Sequence, residues 1–191
     1  VPHAKTWGNL TRNAQAQLCR IKEDVSFLNK RFTVLATVPP QHMYGLESSV
    51  LSALLGGNQF SAAHPFFAQD ICTELERLPR PRILVSTPFH LRAWMESGVE
   101  LPAVDFIISA TAPLSMQLAE SIEAKFHIPI QEIYGCTETG QIATRLPTVN
   151  QVWHTYGQVE IMQINEGNDV YSGAIVKGDY ISSPTELNDV I

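Results

Sequence analysis

The sequence predicts an α/β protein with a mostly parallel sheet and flanking helices, followed by part of a small antiparallel β subdomain. Between residues 32 and 135, an apolar strand-like run followed by a helix-like pattern recurs about every 24 residues, the spacing of successive βα units. After Gly140 the pattern changes to short alternating stretches separated by turn residues. We therefore predict an α/β subdomain over residues 1–150 and the start of a β subdomain over residues 151–191.

The first region begins with a predicted helix over residues 10–22, because Leu10, Ala14, Leu18 and Ile21 share one helical face. Five strands are predicted to follow it. They cover residues 34–38, 59–62, 82–85, 106–109 and 130–134, and each ends in polar or turn residues.

Apolar residues with the three-to-four spacing of a buried helix face occupy gaps between these strands. One set precedes Gly56 and a second precedes Gly98, while a third begins after Ser115, which is placed to cap a helix N-terminus. The apolar residues of the three sets are Leu46, Val50, Leu51, Leu54, Leu91, Trp94, Met95, Met116, Ala119, Ile122 and Phe126.

The second region is predicted to form antiparallel hairpins. Its strand-like stretches cover residues 159–164, 169–176 and 179–181, and turn residues at 165–168 and 177–178 separate them.

Composition and charge exclude several classes of protein. The net charge of -6 and the absence of a Lys/Arg cluster argue against nucleic acid as a partner. Three widely spaced cysteines indicate neither a disulfide framework nor a zinc site. No apolar run is long enough for a membrane span and no secretory leader pattern is present, so we predict a cytoplasmic protein.

The residues most suggestive of chemistry follow the last parallel strand. Tyr134 and Gly135 end that strand, and Thr137 and Glu138 then lie on a turn bounded by Gly140. A hydroxyl and a carboxylate at the carboxyl end of a strand suit a phosphate oxygen and its Mg²⁺. The alternative is a strand-to-helix turn in which Thr137 caps the helix and Glu138 complements its N-terminus.

Two further segments follow strands of the same predicted sheet. Residues 109–114 are small or stiff, which leaves main-chain groups accessible to a flat ring. Residues 39–45 place His42 between two prolines and Gly45, where it is predicted to line a pocket that Gly45 lets a ligand approach closely. Because neighbouring strand ends lie together, we expect all three segments to form one site.

In this order and at these intervals, the three segments resemble the adenylate-forming superfamily of acyl-CoA and aryl-CoA synthetases, peptide-synthetase adenylation domains and luciferases. Its Tyr-Gly-x-Thr-Glu turn is matched by residues 134–138, its Gly/Ala-Ala-Pro-Leu adenine loop by 111–114, and its Pro-x-x-His-x-x-Gly acyl-pocket segment by 39–45. The resemblance covers essentially the whole chain.

The resemblance implies an AMP-forming acid-thiol ligase that uses ATP, Mg²⁺ and coenzyme A to activate a fatty or aryl acid. Tyr134 would stack on adenine, Thr137 would contact phosphate, Glu138 would bind Mg²⁺ and Asp189 would hold the ribose. The implied nucleotide-binding residues are Ser109, Ala110, Thr111, Ala112, Pro113, Tyr134, Gly135, Cys136, Thr137 and Asp189. The implied acyl pocket is His42, Met43, Tyr44 and Gly45, and the implied catalytic residues are Thr137, Glu138 and His42.

The ends of the chain also resemble this superfamily. Residues 6–10 are similar to a Thr-His-x-Asn-Leu segment, with Trp7 in place of His, and residues 187–189 are similar to a Thr-Gly-Asp segment of which only Asp189 is retained. By this resemblance a phosphate loop would precede Val1, and a catalytic C-terminal domain would follow Ile191. We therefore expect a fragment that is inactive alone.

Two other functions remain open on sequence. One is a peptide-synthetase-type adenylation domain that loads a carrier protein, and the other is a non-catalytic nucleotide-binding or interaction module. The apolar character of Met43, Tyr44, Leu46 and Cys136 favours an acyl or aryl acid, and no acidic residue is predicted where it would hold an α-amino group.

Overall fold

The computed structural model describes residues 3–25, 30–164 and 173–187 of the chain. The strands are β1 (Thr33–Ala36), β2 (Gln59–Phe60), β3 (Arg82–Ser86), β4 (Phe106–Ser109), β5 (Ile130–Cys136), β6 (Gly140–Arg145), β7 (His154–Thr155), β8 (Glu160–Ile164), β9 (Gly173–Lys177) and β10 (Thr185–Leu187). The helices are α1 (Trp7–Asp24), α2 (Met43–Gly45), a π-helix (Leu46–Leu51), α3 (Ser52–Gly56), α4 (Ala68–Arg77), α5 (Pro88–Ser97) and α6 (Met116–Phe126).

The larger sheet has seven strands in the order β2-β1-β3-β4-β5-β6-β7, and the smaller sheet has the order β10-β9-β8. Strands β1 to β5 are parallel, whereas β6, β7 and the smaller sheet are antiparallel. This architecture confirms the predicted fold class. The predicted division at residue 151 stays a prediction, and β7, which lies beyond it, pairs with the larger sheet.

Each predicted parallel strand is present, and local signals set the helix boundaries. The Thr6 hydroxyl accepts a hydrogen bond from the main-chain N–H of Asn9 at the start of α1. Ser115 caps α6 as predicted, accepting a hydrogen bond from the main-chain N–H of Leu118. Gly57 and Gly98, with φ of 64° and 71°, end α3 and α5 in the left-handed conformation that suits glycine.

The prediction of a strand over residues 179–181 is wrong. The third strand of the smaller sheet is β10, which pairs with β9. Tyr180 and Ile181 are consecutive and both buried, a pattern that strand alternation does not produce. They lie on a turn in which the main-chain N–H of Ile181 donates to the Gly178 carbonyl over 3.2 Å.

Strand β6 was not predicted, because its sequence is polar. All but the last of its residues are buried, and its polar side chains find partners inside the protein. The Thr144 hydroxyl donates to the Glu132 carbonyl over 2.9 Å. A strand that is buried on both faces therefore contains residues that, read alone, indicate a loop.

Two apolar cores lie on opposite faces of the larger sheet. One contains residues of α1, α2 and the smaller sheet, and the other contains residues of α4, α5 and α6. Two consecutive residues of β1 illustrate this, since Val34 belongs to the first core and Leu35 to the second. Helices and the smaller sheet thus cover the faces, and the strand ends are left to form a site.

No helix within the described ranges is long and apolar enough to cross a membrane. Cys19, Cys72 and Cys136 are free thiols. The cytoplasmic location stays a prediction.

Candidate active site

A cavity of about 230 Å³ opens where the carboxyl ends of β1, β4 and β5 approach one another. Its lining residues are His42, Met43, Tyr44, Glu47, Ala110, Thr111, Ile133, Gly135, Cys136, Thr137, Gly140 and Gln141. The three segments that the sequence analysis singled out therefore contribute to one cavity. The roles assigned to their residues stay predictions.

His42 directs the segment that follows β1. It precedes α2 with extended backbone angles, and its ring Nδ1 accepts a hydrogen bond from the main-chain N–H of Tyr44 over 3.2 Å. The side chain therefore acts as a helix cap while it contributes to the cavity wall. Local capping and a role in a pocket are compatible at this position.

Gly45 is not among the cavity-lining residues, and its place in the acyl pocket stays a prediction. A Cβ atom at this position would lie 2.3 Å from the Pro39 carbonyl oxygen. The close approach that requires glycine here is thus made by the chain's own backbone and not by a ligand.

Tyr44 ties this segment to the sheet. Its buried hydroxyl lies 3.0 Å from the Ser86 carbonyl oxygen and 2.9 Å from the Ile108 carbonyl oxygen, at the ends of β3 and β4. Burial raises the pKa of this phenol well above its ordinary range. Tyr44 is therefore a neutral donor that fixes one wall of the cavity.

The loop after β4 contributes only part of its length to the cavity. Ala110 and Thr111 line it, and Thr111 has a left-handed φ of 78°. Ala112 and Pro113 are exposed and lie outside the lining residues, as does the buried Ser109.

Glu132, a residue that the sequence analysis did not select, holds the loop in place. Its carboxylate accepts a hydrogen bond from the main-chain N–H of Leu114 over 2.7 Å and pairs with Arg145 over 2.8 Å. Glu132 is buried, so this ion pair links the loop after β4 to the β5–β6 hairpin. Sequence patterns give no sign of it, because the pair forms only when β5 and β6 meet.

The turn over residues 137–139 connects two antiparallel strands. It leads from β5 into β6, so the alternative of a helix beginning at Thr137 is wrong. Gly135, Cys136 and Thr137 line the cavity, and the Cys136 thiol lies 3.2 Å from the Thr139 hydroxyl. The hairpin thus presents its tip at the edge where the other two segments lie.

Tyr134 is placed beside the cavity and not in its lining. Its ring centroid lies 5.7 Å from that of Trp153, with the ring planes tilted by 53°. Trp153 is in turn covered by the Arg145 guanidinium at 4.4 Å. Adenine stacking on Tyr134 stays a prediction.

Glu138 is a partly exposed carboxylate in a cationic setting. The His3 Nε2 atom lies 3.2 Å from its carboxylate, and the Lys5 ammonium donates to its main-chain carbonyl. The pKa of Glu138 is lowered, chiefly by a hydrogen bond from its own main-chain N–H and then by one from Cys136. Glu138 is therefore ionised at neutral pH.

These features fit a magnesium ion bound mainly by a nucleotide. Within the described part of the chain, no group of three or more His, Cys, Asp or Glu residues could hold a metal. Mg²⁺ typically takes one or two carboxylates together with substrate phosphates and water. A single accessible carboxylate such as Glu138 meets that requirement.

Glu47 is a cavity residue that the sequence analysis missed. It is only 2% exposed, and burial raises its pKa from 4.5 to about 7, against the opposing effects of nearby Lys5 and hydrogen bonds from Gln141. The sequence analysis saw no acidic residue placed to hold an α-amino group, and Glu47 is an acidic residue in the cavity wall. The sequence signal for this placement was that Glu47 lies four residues after Met43, so that on a helix both side chains share one face.

We expect the replacement Glu47→Gln to remove a pH dependence of stability. A carboxyl group whose pKa rises on folding contributes stability that is fully present below its unfolded pKa of 4.5 and is lost as pH rises to about 7. The predicted loss is about 3 kcal/mol. Denaturant unfolding of both proteins at several pH values between these limits measures it, and parallel pH profiles would contradict it.

Asp189, the predicted ribose-binding residue, lies outside the described residues. The last described strand, β10, ends two residues before it.

A mostly parallel sheet with a cavity at the carboxyl ends of its strands is the architecture of α/β proteins that bind small ligands at this edge. The family model described as AMP-binding enzyme matches residues 4–172, and the chain belongs to that family. The resemblance to the adenylate-forming superfamily is confirmed.

Among curated proteins, 4-coumarate–CoA ligase 1 of Solanum tuberosum is 26% identical over 123 residues. The match covers 61% of this chain and 22% of that ligase. The matched part of the chain thus corresponds to less than a quarter of the length of that relative.

Three solved structures of two enzymes show the same fold. O-succinylbenzoate coenzyme A synthetase from Bacillus subtilis in complex with AMP matches with a TM-score of 0.78 and 19% identity, covering 95% of this chain and 39% of the synthetase. The same synthetase in complex with ATP and a magnesium ion has a TM-score of 0.77. A malonyl-CoA ligase with methylmalonyl-CoA and AMP bound matches with a TM-score of 0.66 and 20% identity, covering 93% of this chain and 41% of the ligase.

Proposed function

We propose that the intact protein joins a small carboxylic acid to coenzyme A through an acyl-adenylate, with ATP as the activating substrate. The observation that carries this proposal is the shared cavity. In a member of the AMP-binding enzyme family, the segment predicted for the acid and the segments predicted for the nucleotide line one space.

The chemistry requires these two substrates to meet. A carboxylate is a poor electrophile, because its negative charge repels nucleophiles and it has no good leaving group. Attack of its oxygen on the α-phosphorus of ATP breaks the bond to the β-phosphate oxygen and releases pyrophosphate. The coenzyme A thiol then attacks the acyl carbon, loses its proton to solvent and displaces AMP.

The residues of the chain take distinct parts in this proposal. The 109–114 loop and Tyr134 would hold adenine, Thr137 would contact phosphate, and Asp189 would accept hydrogen bonds from the ribose. Glu138 would hold Mg²⁺, which when bound neutralises charge that develops on the phosphates. His42, Met43 and Tyr44 would surround the acid.

Met43 and Tyr44 give the cavity wall an apolar surface that suits an acyl or aryl tail. We favour an aryl or short acyl acid. The names of the similar ligases, which refer to 4-coumarate and O-succinylbenzoate, support the aryl choice.

ATP–pyrophosphate exchange in the intact protein tests the proposal. We expect exchange that depends on an aryl or short acyl acid and on Mg²⁺, with a thioester formed when coenzyme A is added. Exchange with amino acids alone would favour a peptide-synthetase-type domain. Transfer of the acyl group to a carrier protein but not to coenzyme A would mean that the carrier protein is the acceptor. Nucleotide binding without exchange for any acid would indicate a non-catalytic module.

We expect His42→Ala to impair use of the acid more than use of ATP. The imidazole lies on the cavity wall formed by the segment after β1, whereas Glu138 lies on the turn between β5 and β6 and is not among the cavity-lining residues. The expected result is a raised KM or lowered kcat for the acid, with little change in the KM for ATP. Initial-rate kinetics with each substrate varied measure this, and a selective rise in the KM for ATP would disprove the placement.

A further inference from the structure

We propose that Glu47 determines which acids the cavity accepts, by receiving a hydrogen bond from an uncharged donor, such as a hydroxyl group, on the acid's tail. This inference rests on the proposed function. It names a feature of the substrate that the family assignment leaves open.

The position of Glu47 places a carboxyl group in the cavity wall. The residue lies four positions after Met43 on the helical segment that follows β1, and both residues line the cavity. Gly140 lines the cavity beside it, with a left-handed φ of 81°. A Cβ atom at Gly140 would lie 2.9 Å from Glu47 Oε1, so this carboxylate oxygen packs directly against the Gly140 backbone in the cavity wall.

The surrounding polar groups supply more acceptors than donors. The side-chain amides of Gln141 and Gln17 both donate to the Ser48 hydroxyl oxygen, over 2.8 Å and 2.9 Å. Gln141 is 3% exposed and lines the cavity, and among the described residues its Oε1 atom is buried with no hydrogen-bond partner. This part of the cavity wall is therefore short of hydrogen-bond donors.

The charges around Glu47 favour an uncharged donor over an ammonium group. Lys5 already places a positive charge near this carboxyl and near Glu138. The buried Tyr180 hydroxyl donates to the Gln141 carbonyl over 2.9 Å, and Tyr156 is buried nearby. Burial also favours the neutral form of Glu47. A ligand ammonium group would be repelled by the positive charge of Lys5, and burying its own charge would cost free energy.

Matched acids test the inference in the intact wild-type protein. The probes are 3-hydroxybenzoate and 4-hydroxycinnamate, each compared with the acid that lacks the hydroxyl and with the acid whose hydroxyl is methylated. We expect kcat/KM in ATP–pyrophosphate exchange to favour at least one hydroxylated acid by roughly tenfold or more over both partners. Because a methyl ether keeps the oxygen and loses the donor, it separates hydrogen bonding from size.

Two variants then locate the effect at Glu47. Glu47→Gln keeps an acceptor oxygen and similar shape, so the hydroxyl preference should remain within about threefold of wild type. Glu47→Met keeps the volume and removes the acceptor, so the ratio between hydroxylated and unhydroxylated acids should fall to about one. Calorimetric binding of the same acids to each variant gives a second readout that does not depend on turnover.

Other outcomes would overturn the inference. Equal use of hydroxylated, methylated and unhydroxylated acids by wild type would do so without any variant. Loss of the preference in Glu47→Gln as complete as in Glu47→Met, with amine-bearing acids preferred by wild type, would make Glu47 an ammonium site. Absence of exchange with every acid would refute the proposed function itself, which is a different result.

Discussion

Glu138→Gln in the intact protein is expected to fold normally and to lose acid-dependent ATP–pyrophosphate exchange by about two to three orders of magnitude. A neutral amide is a much weaker Mg²⁺ ligand than a carboxylate, and losing about 3 to 4 kcal/mol of transition-state stabilisation has this effect on rate. Normal folding is expected because Glu138 is partly exposed and its ion pair with His3 lies at the surface.

The measurement is the exchange rate at saturating Mg²⁺, together with the thermal unfolding midpoint. Glu120→Gln is the matched control, since Glu120 is an exposed carboxylate on α6 that is not among the cavity-lining residues. We expect the control to exchange like wild type. A wild-type rate in Glu138→Gln would exclude a metal-binding role for this carboxylate.

The parallel part of the fold could be predicted because each strand and each helix carries its own local pattern. The strand over residues 106–109 is a run of apolar residues buried on both faces, and Ser115 marks the start of the next helix. Such signals depend on a few neighbouring residues. They can therefore be recognised without knowing which elements pack against the strand or helix.

The antiparallel parts were harder to predict because their burial is decided by distant residues. Strand β6 contains Gln141 and Thr144, whose side chains bond to other elements of the buried interior. Tyr180 and Ile181 are both buried because a turn packs them against the core, which alternation alone cannot reveal. A polar sequence in a buried strand therefore predicts a loop, and apolar residues in a buried turn predict a strand, so the local pattern misleads in both cases.

The candidate site shows the same division. Motif residues such as His42 and Thr137 were found because residue types at fixed spacing suit a chemistry, and the structure brings both to one cavity. Glu47 was overlooked because a glutamate on a helix is usually exposed. Its burial follows from the packing of α1 and β6 around the helical segment, where Gln17 and Gln141 meet the adjacent Ser48.

Gly135→Ala is expected to destabilise the fold by about 3 kcal/mol, because the added methyl group has no space. Gly135 lies at a bulge in β5 where the pairing with β6 shifts register. A Cβ atom there would lie 2.3 Å from the Gly140 carbonyl oxygen and 2.8 Å from the Gln141 Cα atom. Both obstacles are backbone atoms, so no side-chain rotation relieves the contact and the two strands must move apart.

Denaturant unfolding of Gly135→Ala beside Gly8→Ala measures this effect. At Gly8, within α1, a Cβ atom would lie 3.6 Å from the flexible end of Arg12, and alanine in a helix is favoured over glycine by up to about 1 kcal/mol. The control should therefore match or exceed wild-type stability. Separation of β5 from β6 also displaces Thr137 and Glu138, so we expect exchange to fall in Gly135→Ala even where the protein is folded. Wild-type stability in that variant would mean that the hairpin tolerates a side chain, and that the close contact between β5 and β6 does not hold the turn in place.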